Sequence, residues 1–363
     1  MREKSIYSSN IYDNPINKIR TVFDAPASRQ ELEKLSANFS AYTGAKYSYP
    51  VSSFSAALLI SFYTLNLDFD SQVALSAFNF PQIPGAIEFF GCKPVFIDID
   101  LANYNANMSH LELMSTNKLK AVIASHMFGA PCAIDSIMEA AAIYKFFVIE
   151  DASTSLGAVY KGAKCGSRGH ISIFNFDSSS IINCGSGAII ATSNDKINAR
   201  LKLIFNNGYD EAGELKIPVP DFTMSNEKAR LINEHLKHID ALIEYKYMLA
   251  KHYRRDISVR HNEIKFVDQN NYSLTTFNYL PALVESREAY NKISKIIARH
   301  PLPAQRKMPV LLPMAHYYKK NYDLAETDYK NSIKASESVI FMPNDFTAPI
   351  ETIENIIKDI KGM

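Results

Sequence analysis

Glycine is scarce in this chain: 13 of 363 residues, about half the usual fraction of roughly 7%. Little bare backbone is therefore at hand for loops that wrap closely around an anion. Cysteine is limited to Cys92, Cys132, Cys165 and Cys184, and none shows C-x-x-C or His-paired spacing, which argues against a metal site or a redox pair and for buried thiols. Charge of one sign is missing too. Lys and Arg total 39 against 38 Asp and Glu, a net charge of +1 with no run of like charges, so nucleic acid and anionic membrane are excluded as primary partners. No apolar stretch reaches the roughly eighteen residues that a membrane span needs. Residues 1 to 20 carry Arg2, Glu3, Lys4 and Asp13 and no apolar h-region, which makes the cytoplasm the expected compartment.

What remains is an ordinary globular composition, 47% hydrophobic and 21% charged, in a chain longer than one core usually serves. Strand-like runs at Val73–Ser76, Pro94–Ile99, Ala121–Ser125 and Phe146–Glu150 alternate with helical stretches near 84–90, 109–114 and 133–144. That alternation predicts an α/β fold, a mainly parallel sheet sandwiched by helices, with ligand sites beyond the carboxyl ends of the strands. Before it, Ser28 to Tyr42 places Leu32, Leu35, Phe39 and Tyr42 on one helical face behind a Ser28 cap. Ser52 to Ser55 opens a second helix running to Leu65, a turn whose free N–H groups suit an anion. Residues 157–168 read as a hairpin turning at Lys161-Gly162. The segment 206–222 is irregular, one long helix is expected over 225–253, a strand over 273–283, and helices over 286–299 and 349–361. The expected division is a large domain, 1–230, and a small α/β C-terminal domain, 231–363, joined by the long helix.

Several stretches resemble, in order, the DegT/StrS sugar aminotransferase family. They are Glu31 to Ser53; Gly91-Cys-Lys-Pro-Val-Phe-Ile-Asp-Ile-Asp100; Ser125-His-Met-Phe-Gly-Ala-Pro-Cys-Ala-Ile-Asp135; Val148-Ile-Glu-Asp-Ala152; and Ser336-Glu-Ser-Val-Ile-Phe-Met-Pro343. The stretch Gly169 to Ala188 is similar to the segment that carries that family's Schiff-base lysine, roughly G-D-I-x-x-F-S-F-x-x-x-K, but Ser180 stands at the lysine position. No lysine occurs between Lys164 and Lys196. The resemblance implies the type I fold of enzymes dependent on pyridoxal phosphate (PLP), usually a homodimer, and amino transfer to a nucleotide-linked keto sugar.

Carried over residue by residue, the resemblance makes Asp151 the partner of the pyridinium nitrogen and Phe80 the aromatic stacked on the ring. Ser53, Ser55 and Asn175 become phosphate donors. Departures accumulate beside them. Phe54 stands where a small residue would shape the phosphate loop, and Asp221 and Thr223 replace an asparagine and an arginine that reach a neighbouring site. Asp221 would repel a phosphate. A serine cannot form an imine, and Ser180 as a nucleophile would need a base such as nearby Asp177. His126, at a strand end, is a further catalytic candidate. Arg306, Lys307 and His316 are candidate diphosphate contacts.

Two functions follow as expectations. One is a divergent homologue of nucleotide-sugar or polysaccharide biosynthesis that binds a nucleotide-linked sugar or a partner subunit and is not an ordinary transaminase. In it PLP or pyridoxamine phosphate (PMP) is not covalently held, or is not bound at all. The other is a lysine-free enzyme that uses PMP on a nucleotide-linked keto sugar. A homodimer is the expected assembly, and the first function also suits a heteromer with an active paralogue.

Overall fold

The computed structural model describes residues 30–114, 116–267, 272–302 and 307–363. The expected Ser28 cap lies outside them. In chain order the first elements are α1 (Gln30–Thr43), β1 (Tyr47–Val51), α2 (Phe54–Thr64), β2 (Gln72–Ser76), β3 (Phe78–Asn79), α3 (Gln82–Phe89), β4 (Lys93–Ile97) and α4 (Met108–Met114). Next come β5 (Leu119–Ser125), α5 (Ile134–Tyr144), β6 (Phe147–Asp151), β7 (Val159–Tyr160), β8 (Ala163–Lys164), β9 (Ile171–Asn175), β10 (Ala188–Thr192) and α6 (Asp195–Phe205).

Seven of the strands form one sheet in the order β1-β10-β9-β6-β5-β2-β4. The run from β9 to β4 is parallel, as the alternating pattern predicts, whereas β10 is antiparallel to both its neighbours. A loop, not a helix, joins β9 to β10, and a parallel return would need a longer crossover. Side chains alternate between the two faces. Val122, Ala124 and Val148 point into the core beneath α1 and α5, while Ala121, Ile123 and Ile149 point into the core beneath α2, α3 and α6. Both faces are covered, which is why these strands read as continuous apolar runs. Lys161 and Gly162 have φ of 46° and 78°, so the β7–β8 hairpin turns where expected, with both central residues left-handed.

The expected single helix over 225–253 is two helices, α7 (Asn226–Leu236) and α8 (Ile239–Tyr253), parted at Lys237-His238. Ala229, Ile232, Ile239 and Ile243 bury against the large sheet's α1 side, whereas Leu249, Ala250 and Tyr253 belong to a separate C-terminal core. The apolar stripe changes partners within α8, between Ile243 and Leu249, and not at the break, whose two flanks share one core. Tyr253 leads into a π-helical turn at 254–258. The C-terminal core is built on a small antiparallel sheet of β11 (Ile264–Phe266), β13 (Leu280–Val284) and β15 (Val339–Met342).

The expected strand over 273–283 is also split. β12 (Ser273–Leu274) pairs with β7, and a left-handed Phe277, φ 47°, separates it from β13. Helix α9 (Arg287–Arg299) precedes β14 (Val310–Leu311), which returns to the large layer and pairs with β3. Helices α10 (His316–Asn321), α11 (Lys330–Ser338) and α12 (Ile350–Lys361) complete the chain, and α12 buries Ile353, Ile356, Ile357 and Ile360 in the C-terminal core.

Phe39 ties the first helix to the strand that leads into the candidate site. Its ring meets Phe174 edge-on at 4.7 Å and Phe176 at 6.1 Å, and all three are buried. Phe39→Ala is expected to cost about 3–5 kcal/mol, measured as the loss of unfolding free energy in urea.

Candidate functional site

Four parallel strands end around one point. β2 contributes Ser76, β5 Ser125, β6 Asp151 and β9 Asn175. The Asp151 carboxylate, 5% exposed, accepts from the Ser125 hydroxyl at 3.1 Å and from the Ser153 N–H at 3.1 Å. Asn79 donates to the Ser125 and Ser76 hydroxyls. Burial pushes the Asp151 carboxyl up, against the opposing pull of its Ser153 and Ser125 contacts. A group so desolvated favours its neutral form.

Asp151, Phe80, Asn175, Phe54, Asp177 and Lys307 all line the same small cavity. Of the sequence-derived candidates, the structure therefore brings Asp151, Phe80 and Asn175 together. Ser53 instead caps α2, its hydroxyl accepting from the Ala56 N–H at 3.1 Å. Ser55 is exposed on the first turn of that helix. Ser180 is buried, and its hydroxyl is directed at backbone carbonyls, Ser153 O at 3.0 Å and Asn175 O.

His126 is fully buried but its ring turns away from the cavity. Nδ1 accepts from the Cys132 N–H at 2.9 Å, which leaves the proton on Nε2, 2.8 Å from Glu150 Oε1. Glu150 also accepts from the N–H groups of Gly166 at 2.6 Å, Arg168 at 2.9 Å and Gly169 at 2.7 Å. Two of the few glycines permit close approaches here. Gly166, φ +87°, would drive a Cβ into the Phe174 ring, and Gly129, φ +93°, would meet Thr276 and the Phe277 backbone.

Sequence reasoning weighed Lys307 as a diphosphate contact and Asp177 as a base for Ser180; the structure joins them to each other. Lys307 Nζ donates to Asp177 Oδ2, which seals one side of the cavity. Pairing of β14 with β3, Val310 opposite Asn79 and Leu311 opposite Phe78, carries Lys307 there, and spacing gives no signal of it. His316 is exposed at the start of α10, and Arg306 lies outside the described residues. The Asp221 side chain accepts from the Thr223 N–H, while Ser52 N–H donates to Phe222 O, so this segment lies beside the end of β1. Among the described residues no cluster of His, Cys, Asp or Glu could hold a metal ion, and no helix is long and apolar enough to cross a membrane.

This is the fold of the type I PLP-dependent aminotransferases. The aminotransferase of Psychrobacter cryohalolentis superposes with a TM-score of 0.85 at 18% identity, covering 99% of this chain and 98% of that one. DesV of S. venezuelae, solved with a ketimine intermediate, gives 0.82 at 19%, covering 96% and 93%. The chain belongs to the DegT/DnrJ/EryC1/StrS aminotransferase family, which it matches over residues 17–361. Among relatives, an uncharacterised protein of Methanocaldococcus jannaschii is 35% identical over 170 residues, 47% of this chain but only 44% of that protein. The GDP-perosamine synthase of Caulobacter vibrioides is 24% identical over 82% of this chain and 81% of its own. The spore coat polysaccharide biosynthesis protein SpsC of Bacillus subtilis is 24% identical over 91% and 89%.

The residues present do not fit PLP as they are arranged. The cavity beside Asp151 has a volume of about 10 Å³, the room of a single water. Phe54 occupies one wall, the Asp177–Lys307 pair another, and the hydroxyl at position 180 is spent on backbone carbonyls.

The Glu150 carboxyl is held below its ordinary range: burial alone would raise it, but the His126 ring and the Gly166 and Gly169 amides outweigh that. A carboxyl lowered on folding stabilises fully above its unfolded value and loses that contribution as pH falls through the folded value. Glu150→Gln is expected to cost roughly 1–3 kcal/mol at neutral pH. Its urea midpoint should also fall less steeply than the wild type's on acidification below the ordinary Glu range, and equal acid slopes would contradict the assignment.

Proposed function

We propose that this protein is a lysine-free member of its family, working in nucleotide-sugar or polysaccharide biosynthesis by binding a nucleotide-linked sugar or a partner subunit without Schiff-base chemistry. It is then not an ordinary transaminase. The observation that carries this reading is the pairing of Ser180, directed at the Ser153 and Asn175 carbonyls, with a cavity beside Asp151 and Phe80 of about 10 Å³. Family membership and the sugar-biosynthetic relatives support the metabolic setting. In this reading His126 is a positioning residue, since its ring serves Glu150 and the Cys132 backbone. The assembly proposed is a homodimer, or a heteromer in which an active paralogue supplies the chemistry.

A second reading, a PMP-dependent enzyme on a nucleotide-linked keto sugar, is favoured by one observation: Asp151 and Phe80 still border the same cavity. Calorimetric titration of the purified protein with PLP and with PMP, beside an absorbance scan, separates the two. Neither compound is expected to bind in the micromolar range. Micromolar PMP binding without Schiff-base absorbance would transfer the assignment to the second reading. Ser180→Lys is expected to show no Schiff-base absorbance when PLP is added, because Phe54 and the Asp177–Lys307 pair remain in place.

A further inference from the structure

Helix α8 passes from the core of the large sheet to the C-terminal core between Ile243 and Leu249. Lys246 lies at that crossing and is only 2% exposed. An ammonium so deeply buried is costly unless acceptors around it are matched to it, and neither proposed function uses this one. Its Nζ donates to Asn344 O at 2.9 Å and to Asn278 O at 3.5 Å. Asn344, itself buried, turns its amide onto the same segment, with Nδ2 donating to Phe277 O at 2.6 Å and to Asn278 O at 3.3 Å.

The other side of that segment is docked on the large domain. Thr276 N–H donates to Gly129 O at 3.1 Å, and Tyr279 N–H to Phe128 O at 3.3 Å. The docking has no slack, since a Cβ at Gly129 would stand 2.4 Å from Thr276 Oγ1 and 2.9 Å from the Phe277 nitrogen. Phe277 is left-handed, φ 47°, a conformation that a phenylalanine keeps only where its surroundings impose it. From this fixed backbone the wholly buried Asn278 side chain donates to Ser179 O at 2.8 Å. Buried polar groups thus run in series from α8, between two apolar cores, to the loop that carries Asp177 and Ser180.

We propose that Lys246 is a positioning residue for the candidate site. Its ammonium holds the Asn278 carbonyl, the Asn278 amide is thereby presented to Ser179 O, and the loop after β9 is kept against the strand ends. The C-terminal core and this loop therefore open and close as one unit. The coupling operates with or without a cofactor in the cavity, so it stands or falls separately from the function proposed above.

Hydrogen–deuterium exchange of the full chain, read by mass spectrometry on peptides covering 176–187, tests it. Two amides inside the loop report its opening: Ser180 N–H, bonded to Asp177 O at 3.0 Å, and Cys184 N–H, bonded to Phe176 O at 2.8 Å. Lys246→Met, which keeps the length and removes the charge, is expected to speed exchange there roughly fivefold or more. The hairpin 157–168, where Cys165 N–H donates to Ala158 O at 2.8 Å, should exchange at the wild-type rate, which a general loss of stability would not allow. Asn278→Ala should loosen the loop in the same way, and adding Lys246→Met to it should bring no further acceleration, because the two act along one path. Wild-type exchange over 176–187 in a Lys246→Met protein shown to be folded by circular dichroism would overturn the proposal. Equal acceleration in loop and hairpin, or additive effects in the double variant, would do the same. Asn344→Ala addresses the same path if Lys246→Met does not fold: faster exchange confined to the loop supports the coupling, and an unchanged loop in both asparagine variants refutes it.

Discussion

The Glu150 carboxylate, taken wholly out of water, is the constraint from which the rest of the site follows. A buried carboxylate is tolerable only when its oxygens are matched by donors. Glu150 is matched by the amides of Gly166, Arg168 and Gly169 and by His126. Those donors come from two separate loops, so the charge locks the foot of the β7–β8 hairpin and the turn after β5 onto the last residues of β6. Its neighbour Asp151 has no freedom left. The Asp151 carbonyl accepts from the His126 N–H and its carboxylate is held by Ser125 and Ser153. One wall of the cavity is set by a charge that never faces it.

The opposite wall is set by economy of reach. Ser180 has a short side chain, and its hydroxyl spans two carbonyls, Ser153 O after β6 and Asn175 O at the end of β9. The loop after β9 is thereby drawn against the strand ends. Asp177 and Ser179 then fall toward the cavity, where Asn278 and Lys307 meet them from the C-terminal half. A long side chain at position 180 could not make these contacts with its terminal group. The substitution thus alters the shape of the loop as well as removing an amine.

Most of the layered architecture was legible because each strand of the large sheet is buried on both faces and announces itself as an apolar run between helical stretches. Asp151, Phe80 and Asn175 were legible through ordered motifs at strand ends, and the structure gathers them around one cavity. What the sequence hid was tertiary in origin. The helix that follows Lys237-His238 passes from one core to the other between Ile243 and Leu249, and the interruption at Phe277 comes from a left-handed residue whose segment docks on Gly129. The orientation of the His126 ring is decided by Glu150 and Cys132, which local spacing around His126 does not reveal. Lys307 reaches the site only because two-residue strands far apart in sequence pair with each other.

Charge balance links the missing lysine to the lysine that arrives from elsewhere. The described cavity holds two carboxyls, Asp151 and Asp177, and one ammonium, Lys307. Burial favours the neutral form of Asp151, while the donors around Asp177 favour its charged form. Two neighbouring carboxyls pushed in opposite directions need only one cation between them, and Lys307 supplies it. An amine at position 180 would add a second positive charge to a space the size of one water, and among the described residues no further carboxylate lines the cavity to meet it. The serine, the Asp177–Lys307 pair and the small volume are therefore mutually consistent: each removes a reason for the others to change, and restoring the lysine alone would leave the remaining two opposed to it.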